Sequence, residues 1–172
     1  SRTEISECGV AVVQKYRYGQ SEFELRLALG PDDKVLEVTA NIDWHEKHKM
    51  LRIAFATDID ANRVDCETQF GFVNRSTKAN NTFEQAQIEI AAHKWIALSR
   101  PGLKFALLND CKYGYSAKDN VIELNAIRGT DYPAKNLDFG KHTFRYGIYS
   151  DNSEDYAATI KQGYMFSIAP VI

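Results

Sequence analysis

The sequence predicts an all-β protein, a large antiparallel β-sandwich with little helix, formed as a single domain by residues 1–172. Between Leu36 and Trp44 apolar and polar residues alternate strictly, which is typical of a strand with one buried face. The same alternation recurs in short segments separated by turn residues. A sheet with one apolar face needs another sheet to cover it, so many such strands favour a sandwich.

Strand positions follow from this periodicity in chain order. Phe23 to Leu29 and Leu51 to Phe55 repeat the alternation. Turn chemistry at Gly30-Pro31-Asp32-Asp33 and at Tyr18-Gly19-Gln20-Ser21 is expected to close hairpins. Consecutive strands joined by short turns usually pair, so strands 34–44, 49–57 and 64–72 are expected to form adjacent antiparallel pairs. Further strands are expected at residues 87–91, 94–98, 103–108, 121–127 and 142–149.

Helix is scarce in the predicted pattern. Residues 155–163 fit a short helix with Ser153 or Asn152 as its cap, and a tail strand fits them nearly as well. Residues 76–84 are polar and predict the longest exposed loop or a crossover between sheets.

Composition and charge argue against several classes of partner. The formal net charge of -2 gives no electrostatic reason to bind nucleic acid or an anionic membrane. No apolar run approaches the roughly 20 residues of a membrane span, and Ser1-Arg2-Thr3-Glu4 does not begin a secretory signal. Cys8, Cys66 and Cys111 lack disulfide or zinc spacing, so reduced thiols in the cytoplasm are the simplest expectation. We interpret the chain as a piece of a longer protein.

The stretch from Leu107 to Ser116 interrupts apolar sequence with polar groups, glycine and aromatics. It lies between two predicted strands, so we expect a hairpin-like connection. Asn109 and Asp110 can bond nearby backbone groups and Gly114 can adopt positive φ, so a shaped loop is physically reasonable. On this loop alone, an ordinary turn is the favoured interpretation, because charged and aromatic residues are common in loops of β proteins.

Two histidine segments raise the question of a metal site. His45 and His48 flank Glu46, but the spacing is one residue short of H-E-x-x-H and the segment follows a strand. On a strand or tight turn these side chains diverge, so we expect exposed charges that cap the strand. His93 and Trp95 are expected to share one face, with Trp95 packed in the core and His93 hydrogen-bonded.

Five segments, in order, resemble the C-terminal β domain of the α-mannosidases, family 38 of the glycoside hydrolases. They span roughly residues 40 to 150, and five ordered matches are far more specific than a lone motif. The resemblance implies a supersandwich-like β domain that packs on a preceding catalytic region. The segments are DWHEKHK at 43–49, FGFVNRST at 70–77 with NNT at 80–82, AHKW at 92–95, LLNDCKYGYS at 107–116 and GKHTFRY at 140–146.

The resemblance also implies the chemistry of a larger enzyme. Family members are zinc-dependent retaining hydrolases of α-mannosides, and their nucleophile, acid/base and zinc ligands lie in the region that precedes this domain. Zinc is therefore implied for the parent enzyme, with no cofactor, catalytic residue or metal ligand in this chain. The implied partners are the N-terminal catalytic region of the same protein and a mannose-containing oligosaccharide.

Two loops, 109–115 and 137–142, are where the resemblance implies a contribution to the pocket. Their side chains either bind substrate or merely seat the domain interface. Carboxylate, ammonium and phenol groups can bond sugar hydroxyls, and a tyrosine ring can stack on an apolar sugar face. The candidates are Asp110, Lys112, Tyr113, Tyr115, Asp138 and His142.

Three positions depart from the family pattern, and one alternative function stays open. Gly9-Val10 stands where Gly-Pro is usual, Phe139 where a D-x-G triplet often carries arginine, and Tyr149-Ser150-Asp151 in place of Y-P-H. The alternative is an independent carbohydrate-binding or protein-interaction sandwich, for which an aromatic content of 12% offers stacking platforms. A barrel-like region with an H-x-D zinc motif upstream in the parent gene would favour the enzyme domain.

Overall fold

A computed structural model describes residues 1–87 and 89–168. Within them lie thirteen strands, paired antiparallel, and two helices, which confirms the predicted all-β class. In chain order the first elements are β1 (Arg2–Ser6), β2 (Gly9–Tyr18), β3 (Ser21–Leu29), β4 (Val35–Trp44), β5 (Met50–Ala56), β6 (Arg63–Thr68), β7 (Gly71–Ser76) and α1 (Thr82–Ala86). They are followed by β8 (Ile90–Ala91), β9 (Trp95–Arg100), β10 (Leu103–Asn109), β11 (Gly114–Lys118), β12 (Val121–Arg128), β13 (Gly140–Asp151) and α2 (Ala157–Ser167).

The chain divides into two compact units, and the first comprises Ser1–Leu51 and Ile127–Gly147. Its strands follow the order β1-β2-β3-β4-β13, and the register sets Leu27 opposite both Val12 and Val38. This alignment gathers the apolar residues of successive strands on one face, as the alternation predicts. Both predicted hairpin turns form, and Asp33 Oδ2 closes the second by accepting from the amide of Gly30 at 2.7 Å.

The second unit comprises Arg52–Ala126 and Ile148–Ile172. It contains two antiparallel sheets, one in the order β10-β9-β6-β7 and the other in the order β5-β12-β11-β8. Phe55 on β5 and Phe105 on β10 bring the sheets into contact, with ring centroids 5.8 Å apart. The core is made of completely buried side chains, among them Trp95, Ile96, Leu107, Leu108, Ile122 and Leu124.

The predicted pairing of three consecutive strands is wrong. β4 pairs with β3 and β13, β5 joins β12, and β6 lies between β7 and β9. The predicted strand 64–72 contains a turn, since Phe70 adopts a left-handed φ of 65° and the chain folds back as β6 and β7. Apolar alternation continues through this turn, and Phe70 is nevertheless fully exposed, so periodicity alone could not locate it.

The segment before Gly114 is not a hairpin, contrary to expectation. β10 and β11 belong to different sheets, and β11 pairs with β12 and β8 instead. Gly114 does not adopt positive φ either. Its role is close packing, because a Cβ atom there would lie 3.1 Å from Asn125 Nδ2.

Two helices refine the remaining predictions. Part of the polar stretch 76–84 forms the start of α1, which Asn81 caps by accepting from the amide of Glu84 at 2.9 Å. Residues near 155–163 are helical, but α2 follows Tyr156, and neither Ser153 nor Asn152 caps it. Of the predicted strand 87–91, Ile88 lies outside the described residues and β8 is short. Neither helix in the described ranges is long and apolar enough to cross a membrane.

Candidate functional site

Asn109 organises the polar segment that follows β10, which we call the Asn109 loop (residues 109–113). Its side chain is 1% exposed, and its amide nitrogen donates to the carbonyl of His93 at 2.9 Å and to the Tyr115 hydroxyl. Its Oδ1 accepts from the amide of Cys111 at 3.0 Å and from the amide of Lys112. A single buried amide thus satisfies two loop donors and joins the loop to the core.

Tyr113 is the aromatic residue that this loop presents at the surface. Its side chain is 62% exposed, and its ring meets the His93 ring edge-on with centroids 5.6 Å apart. Its carbonyl accepts from the amide of Ala92 at 3.2 Å, so the main chain is held as well. Asp110 and Lys112 lie half-buried on either side of Cys111. The loop therefore offers a carboxylate, an ammonium group and an aromatic ring within four residues.

Tyr115 lies in the core and not at the surface. Its side chain is completely buried, and its hydroxyl lies 3.2 Å from the carbonyl of His93. Burial strongly raises the pKa of Tyr115, so the phenol is neutral at physiological pH. A buried ring cannot stack on a sugar, which leaves Tyr113 as the stacking candidate of this loop.

A partly buried ion pair lies beneath the same loop and was not predicted from the sequence. Lys94 Nζ lies 3.0 Å from Glu67 Oε1, and the Glu67 side chain is only 5% exposed. The main chain of Lys94 binds at both ends: its amide donates to Glu67 Oε2 at 2.8 Å, and its carbonyl accepts from the amide of Asn109 at 2.9 Å. Nothing in the local sequence pairs residues 67 and 94, and a lysine within a predicted strand, between His93 and Trp95, is the one local signal that a charge there needs a partner.

Asp138 and His142 come together in the first unit. His142 Nε2 lies 2.7 Å from the carbonyl of Asp138, so the contact uses the main chain and not the carboxylate. His142 lines a surface groove of about 840 Å³ together with charged side chains, among them Lys15, Glu24 and Asp43. The two residues are thus partners, with the histidine facing a surface of mixed charge.

Glu46 organises the loop within the segment DWHEKHK, which we call the Glu46 loop (residues 45–49). Its side chain is 12% exposed, and it accepts from the amide of Gln20 at 2.9 Å, the hydroxyl of Ser21 at 3.3 Å and Lys49 Nζ at 3.3 Å. The Gln20 amide is the main reason that the pKa of Glu46 is lowered. The expectation of an exposed charge is therefore wrong for Glu46, because its carboxylate holds neighbouring strands and turns together.

The two histidines of this loop diverge, as predicted. His45 Nε2 lies 2.8 Å from Asp43 Oδ1, whereas His48 Nε2 lies 3.3 Å from Asp131 Oδ2. The ring of Phe139, at the position where the family pattern often carries arginine, packs edge-on against His45 at 5.6 Å. That position supplies an apolar contact in this chain.

The donor set of the described residues does not fit zinc. In residues 1–87 and 89–168 no three histidine, cysteine, aspartate or glutamate side chains lie close enough to hold a metal ion. Cys66 is buried, while Cys8 and Cys111 are exposed, and none of the three forms a disulfide. Burial raises the pKa of the Cys66 thiol to about 11, so the free thiol is protonated at neutral pH.

Comparison with known proteins places these features in a family. Residues 1–136 match the model of the glycosyl hydrolases family 38 C-terminal domain. The chain is 41% identical over 130 residues to alpha-mannosidase G of Dictyostelium discoideum, covering 75% of this chain and 12% of the relative. It is 37% identical over 107 residues to human alpha-mannosidase 2C1, covering 62% of this chain and 10% of the relative.

Solved structures support the same fold. An alpha-mannosidase from Enterococcus faecalis V583 superposes with a TM-score of 0.75 at 19% identity, covering 84% of this chain and 17% of that one. The chain thus spans about an eighth or less of the length of the curated relatives described above. Because the family model matches most of its length, the chain belongs to glycosyl hydrolase family 38, as its C-terminal domain.

Proposed function

We propose that the protein containing this chain is a zinc-dependent, retaining α-mannosidase that acts on mannose-containing oligosaccharides in the cytoplasm. In this proposal the chain packs on an N-terminal catalytic region of the same protein and completes its active site. The family assignment and the mannosidase names of the relatives support the substrate class. Three free cysteines are in keeping with a reducing compartment.

The metal and the bond-breaking groups would come from outside this chain. Zinc, when bound, would act as a Lewis acid that grips sugar hydroxyls. A retaining hydrolase also needs two carboxylates about 5 Å apart, one as nucleophile and one as acid/base. This domain takes neither role, and its described donors do not fit a metal site.

The contribution of this chain is assigned to the Asn109 loop. The observation that supports it is an exposed aromatic ring on a main chain that is anchored to the core by a buried amide. The Tyr113 ring would stack on the apolar face of a sugar, while Asp110 and Lys112 would accept from and donate to its hydroxyls. Rigid anchoring matters here, because misplacing a substrate-positioning group by about 1 Å costs up to 10²-fold in rate.

Asp138 and His142 are assigned a lesser role in the same proposal. Their mutual contact and the groove beside them fit a domain interface or a second patch for sugar hydroxyls. Replacing His142 in the full-length protein would separate these roles, since an interface residue changes stability and a substrate contact changes KM.

The decisive experiment is kinetic and uses the full-length protein. Tyr113→Ala and Asp110→Ala are expected to lower kcat/KM for an α-mannoside by about tenfold, the loss of roughly one good substrate contact. Phe83→Ala, which removes another exposed aromatic ring of the same unit, is the matched control and should keep wild-type kinetics. The 172-residue chain alone should be inactive, since the proposal places the catalytic groups elsewhere.

A loop that only seats the domain interface gives a different pattern. Tyr113→Ala would then lower the melting temperature of the full-length protein, and the folded fraction would keep its turnover per molecule. Normal kinetics at normal stability would remove the loop from the site altogether. Hydrolysis of an α-mannoside by the isolated chain would overturn the assignment of catalysis to another region.

A further inference from the structure

We propose that Asn109 is a positioning residue for the Asp110–Tyr113 segment and that helix α2 is the second anchor of the same loop. The kinetic consequence rests on the proposed function, whereas the structural claim does not. All the residues whose contacts support this proposal lie within the second compact unit.

Asn109 uses both polar atoms of its side-chain amide. Its Oδ1 accepts from two donors, and its Nδ2 donates to two acceptors. The two donors on Oδ1 are successive main-chain amides of the loop, those of Cys111 and Lys112. A carboxamide that accepts from two successive amides imposes one path on the chain, because any other path leaves those donors without this partner.

Helix α2 is attached to Asn109 by a hydrogen bond. Ser167 Oγ, on the last turn of the helix, donates to the carbonyl of Asn109 at 2.9 Å. One turn earlier, the Tyr164 ring lies 4.4 Å from the Nζ of Lys94, whose carbonyl accepts from the amide of Asn109. The last turn of α2 therefore contacts both Asn109 and the residue that binds its main chain.

Helix α2 is itself packed closely against strand β9. Tyr156 stacks on Trp95 with centroids 5.5 Å apart and an interplanar angle of 12°, and its hydroxyl also bonds Asp65. Gly163 lies so close to Trp95 that an added Cβ would be 2.6 Å from its Cδ1. A helix packed this closely on β9 gives Ser167 a fixed position from which to hold the loop.

Together these contacts explain how an exposed tyrosine can have a defined position. The Tyr113 side chain has little packing of its own beyond the edge of His93. The position of the Tyr113 side chain is instead set by the loop main chain, which Asn109 and Ser167 hold through hydrogen bonds. Two residues of the family segment LLNDCKYGYS thus have different roles: Asn109 positions the loop, and Tyr113 is the aromatic ring that the loop exposes.

The test is amide hydrogen exchange in the full-length protein, read at Cys111 and Lys112. Asn109→Leu keeps similar bulk without the acceptor, and it is expected to speed exchange of both amides by tenfold or more. Asn109→Asp keeps the acceptor and should retain most of the protection, although it loses the donor. Ser167→Ala should raise the same two rates by a smaller factor. Ile96→Val, a change in the buried core of β9, is the stability control and should leave both amides protected.

Kinetics in the same variants separate this inference from the proposed function. Asn109→Leu should reproduce the loss of kcat/KM seen for Tyr113→Ala, with partial recovery in Asn109→Asp. If the amides lose protection while activity stays normal, Asn109 positions the loop but the loop does not serve the active site. If Asn109→Leu leaves both amides as protected as in the wild type, the positioning role is wrong, whatever the kinetics show.

Discussion

The Glu46 loop and the Asn109 loop are each organised by one acceptor side chain, and the acceptors differ in charge and in depth. Glu46 is a carboxylate that retains 12% exposure and binds an ammonium group as well as an amide and a hydroxyl. Asn109 is a neutral amide with 1% exposure, and its side chain bonds main-chain groups and the Tyr115 hydroxyl, all of them neutral. We therefore expect the stability contributed by Glu46 to depend on pH and the stability contributed by Asn109 to be independent of pH.

Backbone conformation separates the two loops further. The Glu46 loop contains His48 with a left-handed φ of 53°, and Gly129 packs against its main chain. Residues 109–113 contain no residue in the left-handed region. The backbone of the Glu46 loop is therefore strained at His48, and that of the Asn109 loop is not. A buried side-chain amide can thus shape a loop without placing any residue in the left-handed region of backbone conformation.

The largest effect on stability is expected from Asn109→Leu. It removes the acceptor that the amides of Cys111 and Lys112 share and leaves the Tyr115 hydroxyl and the His93 carbonyl with only each other in a mostly buried site. The expected cost is roughly 3 kcal/mol in the free energy of unfolding. Urea unfolding of the 172-residue chain measures it. A loss below about 1 kcal/mol would mean that water replaces the amide and that the loop is less buried than the contacts indicate.

Gly129→Ala is expected to have the next largest effect, on the Glu46 loop alone. An added Cβ would lie 2.5 Å from the carbonyl of Glu46 and 2.9 Å from that of Lys49, and main-chain atoms cannot move away easily. The expected loss is roughly 2 kcal/mol. Faster amide exchange at His48, whose amide donates to the Gly129 carbonyl, with unchanged exchange at Cys111 would localise the damage.

Glu46→Gln tests the difference in charge. The pKa of Glu46 lies below its ordinary value of 4.5, chiefly because the Gln20 amide donates to the carboxylate. Its contribution to stability is therefore present above pH 4.5 and is lost as pH falls through the lowered pKa. The gap between wild type and Glu46→Gln should be larger near about pH 6 than near about pH 3.

The same pair of pH values supplies the control for that experiment. Asn109→Leu removes a neutral group, so its stability gap should change little between them. A gap for Glu46→Gln that is equal at both pH values would show that the carboxylate acts only through its shape.

His48→Gly is expected to have the smallest effect and the opposite sign. Glycine accepts a φ of 53° without strain, and the exposed contact with Asp131 adds little. After the entropy cost of glycine, a gain of roughly 0.5 kcal/mol remains. Urea unfolding detects it when the variant is measured beside Asp131→Ala, which removes the contact and keeps the strain. Destabilisation by His48→Gly alone would show that the histidine side chain is needed.

Local chemistry was sufficient to predict the all-β class, several of the strands and the first hairpin turns, and the resemblance of five segments indicated the family. The alternation from Leu36 to Trp44 identified β4 almost to its ends, and Gly30-Pro31-Asp32-Asp33 identified the turn before it. Such signals are contained in a few neighbouring residues, so tertiary context did not overrule them. The same reasoning anticipated that Asn109 would bond nearby backbone groups, as it does with Cys111 and Lys112.

The pairing of strands that are distant in sequence could not be predicted from such local signals. Residues 64–72 alternate like one strand, yet the chain turns at Phe70. The partner of β5 is β12, more than sixty positions further along the chain. An apolar face specifies that a strand must be covered and leaves open which strand will cover it.

By itself the sequence determined that this protein is all-β, that it carries the family 38 signature and that polar loops interrupt its strands. Only the tertiary structure decided which loop side chains are available. Tyr113 and Tyr115 are two residues apart and chemically identical, yet one is 62% exposed and the other completely buried. The reason is that β11 begins at Gly114, so Tyr115 turns into the core, where Asn109 and the carbonyl of His93 satisfy its hydroxyl, while Tyr113 stays on the loop.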